Sequence, residues 1–233
     1  MDIGKVDISV VIPAHNEEAN IESCYRRVAG VLAEYGKSFE VILEQDGSTD
    51  KTPQIIDRIA KKYPNVVALH ESERYGKGFG IRKAMDAANG KLLAFIDADL
   101  EYPPESFPAM FKQVELYDIV VGVKDRATEN RWSRIFLSRL HNIVLQLLFK
   151  IDLEGSQSGL KVFRREAFQA VQPLSSNGFE VDSEILVKAI KKGYSVCCLS
   201  VKYHYKGSSQ VNLLIDPVKM FLGLLKLRAR LDS

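Results

Sequence analysis

Leu92-Leu93-Ala94-Phe95-Ile96-Asp97-Ala98-Asp99 is the stretch on which the fold turns: five apolar residues run straight into two carboxylates. An unbroken apolar run of this length suits a strand buried on both faces, as in a parallel sheet covered by helices. One Asp would suffice to cap the helix that Pro103-Pro104-Glu105 opens just beyond. Two acids at i and i+2, with Glu101 next in step, instead put hard oxygen ligands at the carboxyl end of the strand. That is the edge where open α/β sheets bind their ligands. Asp97, Asp99 and Glu101 therefore make a candidate site for Mg²⁺ or Mn²⁺ holding a phosphorylated substrate, with a turn or helix cap as the plain alternative.

Upstream, the same alternation repeats. Ile8 to Ile12 is a short apolar strand that Pro13 is expected to stop, and Ile21, Cys24, Tyr25, Val28, Val31, Leu32 and Tyr35 follow in helical register until Gly36. Phe39 to Leu43 is the second strand. Thr52 and Pro53 read as N-cap and first helical position of the next helix, with Ile55, Ile56 and Ile59 on its buried face. Val66 to Leu69 is strand three, Lys77 to Ala88 is helix three, and Asn89-Gly90 closes it. Strand and helix alternating at this spacing predict a doubly wound, mostly parallel sheet of Rossmann-like character.

Three of these strands end in loops rich in chemistry: Pro13-Ala14-His15-Asn16-Glu17, Gln45-Asp46-Gly47-Ser48 and Asp97-Ala98-Asp99. A parallel sheet brings all three to one edge. A nucleotide there needs a base contact, a ribose contact and a diphosphate clamp. Asp46 can accept from a base N–H, Glu17 can hold a sugar hydroxyl, and the metal can clamp the diphosphate. An Asx-turn for Asp46 and a first-turn helix acid for Glu17 are the alternatives. Arg74-Tyr75-Gly76-Lys77-Gly78-Phe79-Gly80 is a glycine-spaced loop at a helix start, either approaching phosphate or packing helix three closely. It lacks the P-loop lysine-threonine pattern, and Lys77 is its candidate donor contact.

Composition sets the frame. With 233 residues and a formal net charge of +2, the chain can bury a core, and it carries no charge bias that calls for nucleic acid. Cys24, Cys197 and Cys198 are odd in number and without metal spacing, which suits a reducing, cytoplasmic compartment. The N-terminus lacks a basic-then-apolar signal, and no run reaches 18 uncharged apolar residues, so no membrane span is expected.

Taken together, Pro13-Ala14-His15-Asn16-Glu17, Asp46-Gly47-Ser48-Thr49-Asp50, Gly76-Lys77-Gly78 and Asp97-Ala98-Asp99 resemble family 2 glycosyltransferases of the GT-A fold. Glu101-Tyr102-Pro103-Pro104-Glu105 extends the likeness to the dolichyl- and polyprenyl-phosphate hexose synthases, and more loosely it reaches about Gln210. The resemblance implies a donor site made by Pro13, Ala14, His15 (in place of an aromatic that stacks on the base), Glu17, Asp46, Lys77, Asp97 and Ala98. It implies Asp97, Asp99 and Glu101 around the metal and diphosphate, with inversion at the anomeric carbon. Family members often have Gln at Glu101 and a second Asp at Gln45. On this reading residues 1–210 form the GT-A domain, divided into a nucleotide-sugar half (1–122) and an acceptor half (123–210), with an amphipathic helix at 211–233.

In the second half, Lys124 to Lys150 carries six basic residues against two acids, interleaved with Ile135, Phe136, Leu140, Ile143, Val144, Leu147 and Leu148 at helical spacing. Pro217 to Leu231 pairs Val218, Phe221, Leu222, Leu225 and Leu231 with Lys219, Lys226, Arg228 and Arg230, and contains no acid. Such helices pack on the core or on a second copy in a homodimer, or they lie in the headgroup region of an anionic membrane as a peripheral anchor. The resemblance puts the acceptor phosphate on Arg126, Arg134 and Ser138; the last two are i and i+4 on one helix face. A lipid phosphate is already an oxyanion, so it needs positioning more than a base.

The chain departs from the family in two places. Val181-Asp182-Ser183-Glu184 stands where mannosyl-type relatives commonly have Phe-Gln-x-Glu, and an Arg-x-x-Gly-x-x-Lys pattern appears as His204, Gly207 and Gln210. Asp182 resembles the glucosyl-type branch. It is also the candidate catalytic base for a saccharide hydroxyl acceptor, beside Asp99 as the catalytic metal ligand, or else the N-cap of the helix holding Ile185, Leu186 and Ile190. His204 remains the acceptor-side candidate. A nucleotide-sugar-binding domain without catalysis is the remaining alternative.

Overall fold

The computed structural model describes residues 6–125, 132–151, 155–204 and 216–231; the side chains of 132–139, 141 and 216–220 lie outside that description. Strands β1 (Ile8–Ala14), β2 (Phe39–Asp46), β3 (Val66–Glu71) and β4 (Leu92–Ile96) alternate with helices α1 (Ile21–Tyr35), α2 (Thr52–Lys62) and α3 (Lys77–Ala87). A short 3₁₀ turn at Pro104–Ser106 leads into α4 (Phe107–Gln113) and β5 (Ile119–Lys124). Then come α5 (Trp132–Phe149), β6 (Leu160–Arg164), α6 (Arg165–Ala170), α7 (Val181–Lys191), β7 (Val196–Val201) and α8 (Asp216–Leu231).

The seven strands form one sheet in the order β3-β2-β1-β4-β6-β5-β7. The first four are parallel, as the strand-helix alternation predicts. The second half breaks the pattern: β6 runs antiparallel between β4 and β5. The sheet is thus mixed, with β6 as its one reversed strand among the described residues.

β4 shows why an apolar run makes a central strand. Ala94 and Ile96 face a core beneath α1, α2 and α4, while Leu93 and Phe95 face a second core beneath α3 and α5 to α8. Each fully buried side chain of this size contributes about 1.5–3 kcal/mol, so a strand lined on both faces is anchored firmly. α1 buries Ile21, Cys24, Tyr25, Val28 and Leu32 in the expected register and ends at Gly36, whose φ of 76° suits a glycine.

Two local expectations need correction. Pro13 does not stop β1, which pairs with β2 as far as Ala14; its ladder with β4 has already ended at Val11, and a proline is tolerated at such a strand end. Thr52 is not the cap of α2 but its first residue. Asp50 accepts the Thr52 N–H at 2.9 Å, and the Thr52 hydroxyl accepts the Glu17 N–H at 2.8 Å. No helix among the described residues is long and apolar enough to cross a membrane.

Candidate functional site

The carboxyl ends of β1, β2 and β4 are neighbours, and the loops after β1 and β2 are tied together by side chains. The Asn16 N–H donates to Ser48 Oγ (3.1 Å), the Thr49 N–H donates to Asn16 Oδ1 (2.8 Å), and the Lys51 N–H donates to Glu18 Oε2 (2.9 Å). His15 Nδ1 lies 2.7 Å from the Asp46 carbonyl; a carbonyl only accepts, so the hydrogen-bond network assigns the proton to Nδ1. The His15 ring is therefore held against the end of β2.

Asp46 carries a structural role of its own. Its Oδ1 and Oδ2 accept the N–H groups of Tyr75 and Gly76, each at 2.7 Å, so the carboxylate fastens the loop ahead of α3. Gly47 lies so close beneath that loop that a Cβ would meet the Arg74 nitrogen at 2.5 Å. The glycine-spaced segment turns out to be close packing. A Cβ on Gly76 would lie 2.4 Å from the Asn177 carbonyl oxygen, and one on Gly78 2.3 Å from that of Ser176. The Gly78 N–H donates to the Asn177 carbonyl at 2.7 Å. Glu184, buried on α7, fixes the other side by accepting from the Ser175 and Ser176 N–H groups.

At the end of β4, Asp97 accepts the Lys77 ammonium (2.7 Å), which also faces Asp182 at 3.6 Å. Asp182 in turn accepts Lys161 Nζ at 2.6 Å, and Lys161 also donates to the Ser158 carbonyl at 2.5 Å. The result is a row of alternating charge: Lys161, Asp182, Lys77, Asp97. Lys161 is fully buried and Asp182 is 1% exposed. Burial lowers the Lys161 pKa against the pull of Asp182. For Lys77, burial opposes the charge, but Asp97 and then Asp182 outweigh it and hold the ammonium charged. Gly159 closes the site from behind: a Cβ there would lie 2.0 Å from Asp97 Oδ2, and its carbonyl accepts the Asp97 N–H at 2.9 Å.

Asp99 Oδ1 accepts the Glu101 N–H at 2.9 Å across a turn in which Leu100 has a φ of 58°, rare for a residue with a side chain. Glu17 is close enough to feel both acids: burial first, then Asp99 and Asp97, raise its pKa, against a hydrogen bond from Asn20. Glu101 points elsewhere and accepts the Tyr203 hydroxyl. Among the described residues no three His, Cys, Asp or Glu side chains form a ready metal cage, so Asp97, Asp99 and Glu101 are not gathered as a three-acid set.

The remaining expected residues divide as follows. Ala14 and Ala98 are buried in the core, and Pro13 is half-buried at the strand end. Asp182 lies inside α7, behind an N-cap at Glu180. His204 is exposed, and its N–H donates to the Glu101 carbonyl. It shares a cleft of about 470 Å³ with Arg27 and Lys202. Arg126, Gly207 and Gln210 fall outside the described residues, as do the side chains of Arg134 and Ser138 on α5. Sequence reading missed Lys161 and Gly159; a lone lysine inside the apolar run from Leu160 to Phe163 was the available signal.

A parallel β3-β2-β1-β4 arrangement whose carboxyl edge gathers an acid pair, completed by an antiparallel strand, is the GT-A architecture of glycosyltransferases. The chain belongs to glycosyl transferase family 2, whose model matches residues 9–172. It is 33% identical over 229 residues to the glycosyltransferase AglD of Haloferax volcanii, covering 95% of this chain and 37% of AglD. It is 30% identical over 223 residues to the undecaprenyl-phosphate 4-deoxy-4-formamido-L-arabinose transferase of Pseudomonas aeruginosa, covering 91% of this chain and 64% of that protein. The chain thus spans less than two thirds of either relative. Among solved structures it resembles glucosyl-3-phosphoglycerate synthase of Mycobacterium tuberculosis in complex with Mn²⁺, UDP and glucosyl-3-phosphoglycerate. That match has a TM-score of 0.75 at 22% identity, over 96% of this chain and 80% of the other.

Proposed function

We propose that the chain transfers a hexose from a GDP- or UDP-sugar to a polyprenyl or dolichyl phosphate, with inversion, at the cytoplasmic face of a membrane. The observation that carries this reading is the buried row of Lys161, Asp182, Lys77 and Asp97 at the carboxyl edge of the parallel strands. It supplies an acid beside Asp99 for a cation and a cation near a diphosphate. Both Asp182 oxygens face lysines and the residue is 1% exposed, which speaks for a structural carboxylate and against a base for a saccharide hydroxyl. An acceptor that needs no deprotonation suits such a site, and a lipid monophosphate is one. One relative, an undecaprenyl-phosphate 4-deoxy-4-formamido-L-arabinose transferase, points the same way.

The residues present fit a divalent ion. Asp97 and Asp99 offer hard oxygens, and the Lys77 ammonium already rests on Asp97 as a stand-in cation. Magnesium commonly binds through one or two carboxylates plus substrate phosphates, so a three-acid cage is not required. Held by Asp97 and Asp99, Mn²⁺ or Mg²⁺ would neutralise the charge that grows on the leaving diphosphate.

The chain's own groups account for the rest. Asp46 fixes the loop over the base position, His15 borders it, and Glu17 faces a sugar hydroxyl. Arg126, Arg134 and Ser138 receive the acceptor phosphate, with His204 nearby, and orient an oxygen in line with the anomeric carbon. Leu140, Ile143 and Leu147 on α5 are exposed, as are Phe221, Leu222 and Leu225 on α8, and the two helices pack on one another. With Lys150 and Lys226 exposed beside them, this face suits the headgroup region of an anionic leaflet, where each basic residue contributes about 1 kcal/mol. A homodimer contact is the competing use of that face.

The test offers radiolabelled GDP- and UDP-hexoses with Mn²⁺ to vesicles holding either polyprenyl phosphate or polyprenol. Label is expected only in the phosphate-bearing lipid. Transfer to polyprenol, or to soluble saccharides alone, would overturn the reading.

A further inference from the structure

We infer that Asp182 is a berth for Lys77: the ammonium rests on Asp97 in the metal-free site and moves onto Asp182 when a divalent cation takes Asp97. The inference rests on the donor-site reading above and makes Asp182 a positioning residue, not a base.

The geometry favours a short transfer. Lys77 Nζ contacts Asp97 at 2.7 Å and stands 3.6 Å from Asp182 Oδ2. Closing that gap to a charge-assisted hydrogen bond of about 2.8 Å takes a side-chain movement of about 1 Å. The walls restrict other destinations: the Lys77 side chain is 13% exposed, with the rings of Phe95 and Phe179 at 5.7 and 5.9 Å from the ammonium. Its backbone is fixed, since Gly76 is held by Asp46 and Gly78 by Asn177. Lys161 holds Asp182 through the other oxygen, so the berth stays where the ammonium can reach it.

Charge requires such a berth. A divalent ion and an ammonium cannot both occupy Asp97 without strong repulsion, and an ammonium driven off into this pocket without a partner would be buried and unpaired. With Asp182 in reach, the row keeps its alternation after the exchange. Lys77 therefore opposes metal binding in the empty site, and Asp182 lowers that opposition.

The experiment measures Mn²⁺ affinity of the full chain without nucleotide, by the loss of the free-ion electron paramagnetic resonance signal. Lys77→Met is expected to bind Mn²⁺ at least about tenfold more tightly than the wild type. Asp182→Asn is expected to bind about tenfold more weakly, and the double variant to match Lys77→Met. Because Asp182→Asn leaves Lys161 unpaired in the core, the pair Lys161→Met/Asp182→Leu reads the same quantity if the single variant does not fold. Unchanged or weaker binding by Lys77→Met would overturn the inference. So would an equal loss from Asp182→Asn in the Lys77→Met background, which would make Asp182 a direct metal ligand. Asp97→Asn separates the two readings: if it binds Mn²⁺ like the wild type, the donor-site reading itself fails.

Discussion

Replacing Glu44 by Gln should stabilise this protein, and more so as pH rises. Glu44 lies on β2, two residues before Asp46, and is 1% exposed; among the described residues neither carboxylate oxygen has a hydrogen-bond partner. It packs against α3 so tightly that a Cβ on Gly80 would lie 2.2 Å from Oε2. Burial, with Asp46 and Glu71 adding repulsion and Lys83 opposing it, pushes its pKa from 4.5 up to about 8. Below pH 4.5 the side chain is protonated whether the chain is folded or not, and it adds no pH dependence. Between 4.5 and about 8 the unfolded chain has lost the proton that the folded chain keeps, so stability falls as pH rises. Above about 8 both forms are ionised and the penalty is complete. A gap of about 3.5 pH units, at about 1.36 kcal/mol each, amounts to about 5 kcal/mol, of which about 3 kcal/mol is present at pH 7. For a chain of this length that corresponds to a melting temperature roughly 6–12 °C higher for Glu44→Gln at neutral pH. Calorimetric scans of both proteins from pH 4.5 to 8.5 at fixed ionic strength should coincide at the acid end and diverge upward. Parallel curves, or a variant less stable than the wild type at pH 8, would refute the reasoning.

Asp99→Ala should weaken nucleotide-sugar binding in Mn²⁺ by about a hundredfold, as expected for loss of a metal ligand, and calorimetric titration would show it. Affinity unchanged from the wild type would remove Asp99 from the donor site. Gly159→Ala puts a methyl group 2.0 Å from Asp97 Oδ2 and should displace that carboxylate, lowering Mn²⁺ affinity about tenfold. Full Mn²⁺ affinity in a folded Gly159→Ala protein would count against the role given to Asp97. Leu147→Glu and Leu222→Glu, at positions 78% and 50% exposed, should each reduce sedimentation with phosphatidylserine vesicles without lowering the melting temperature. A changed oligomeric state with vesicle binding intact would assign that face to a second copy of the chain.

What the sequence revealed follows from how local each signal is. Strands β1 to β4 are continuous apolar runs bounded by helices of 3.6-residue period, so their presence and parallel direction could be read directly. The acid pair after β4 was visible for the same reason. β6 was hidden because Lys161 interrupts its apolar pattern, and that lysine makes sense only beside Asp182 on α7. β7 was hidden by half-exposed residues around Cys197 and Cys198. Glu101 looked like a third ligand by spacing along the chain, but its carboxylate belongs to Tyr203, a partner far away in sequence. Asp46 was legible as a candidate base contact, whereas the hold of its oxygens on the Tyr75 and Gly76 N–H groups was not. In each case the partner that the sequence did not show came from a distant segment, where periodicity and spacing carry no information.

The most direct test of the donor site is anomalous diffraction from crystals grown with Mn²⁺ and a nucleoside diphosphate. A manganese peak within coordination distance of Asp97 and Asp99, with the Lys77 ammonium moved off Asp97, is the predicted result. Bound nucleotide with no manganese there, and Lys77 still paired to Asp97, would contradict the account.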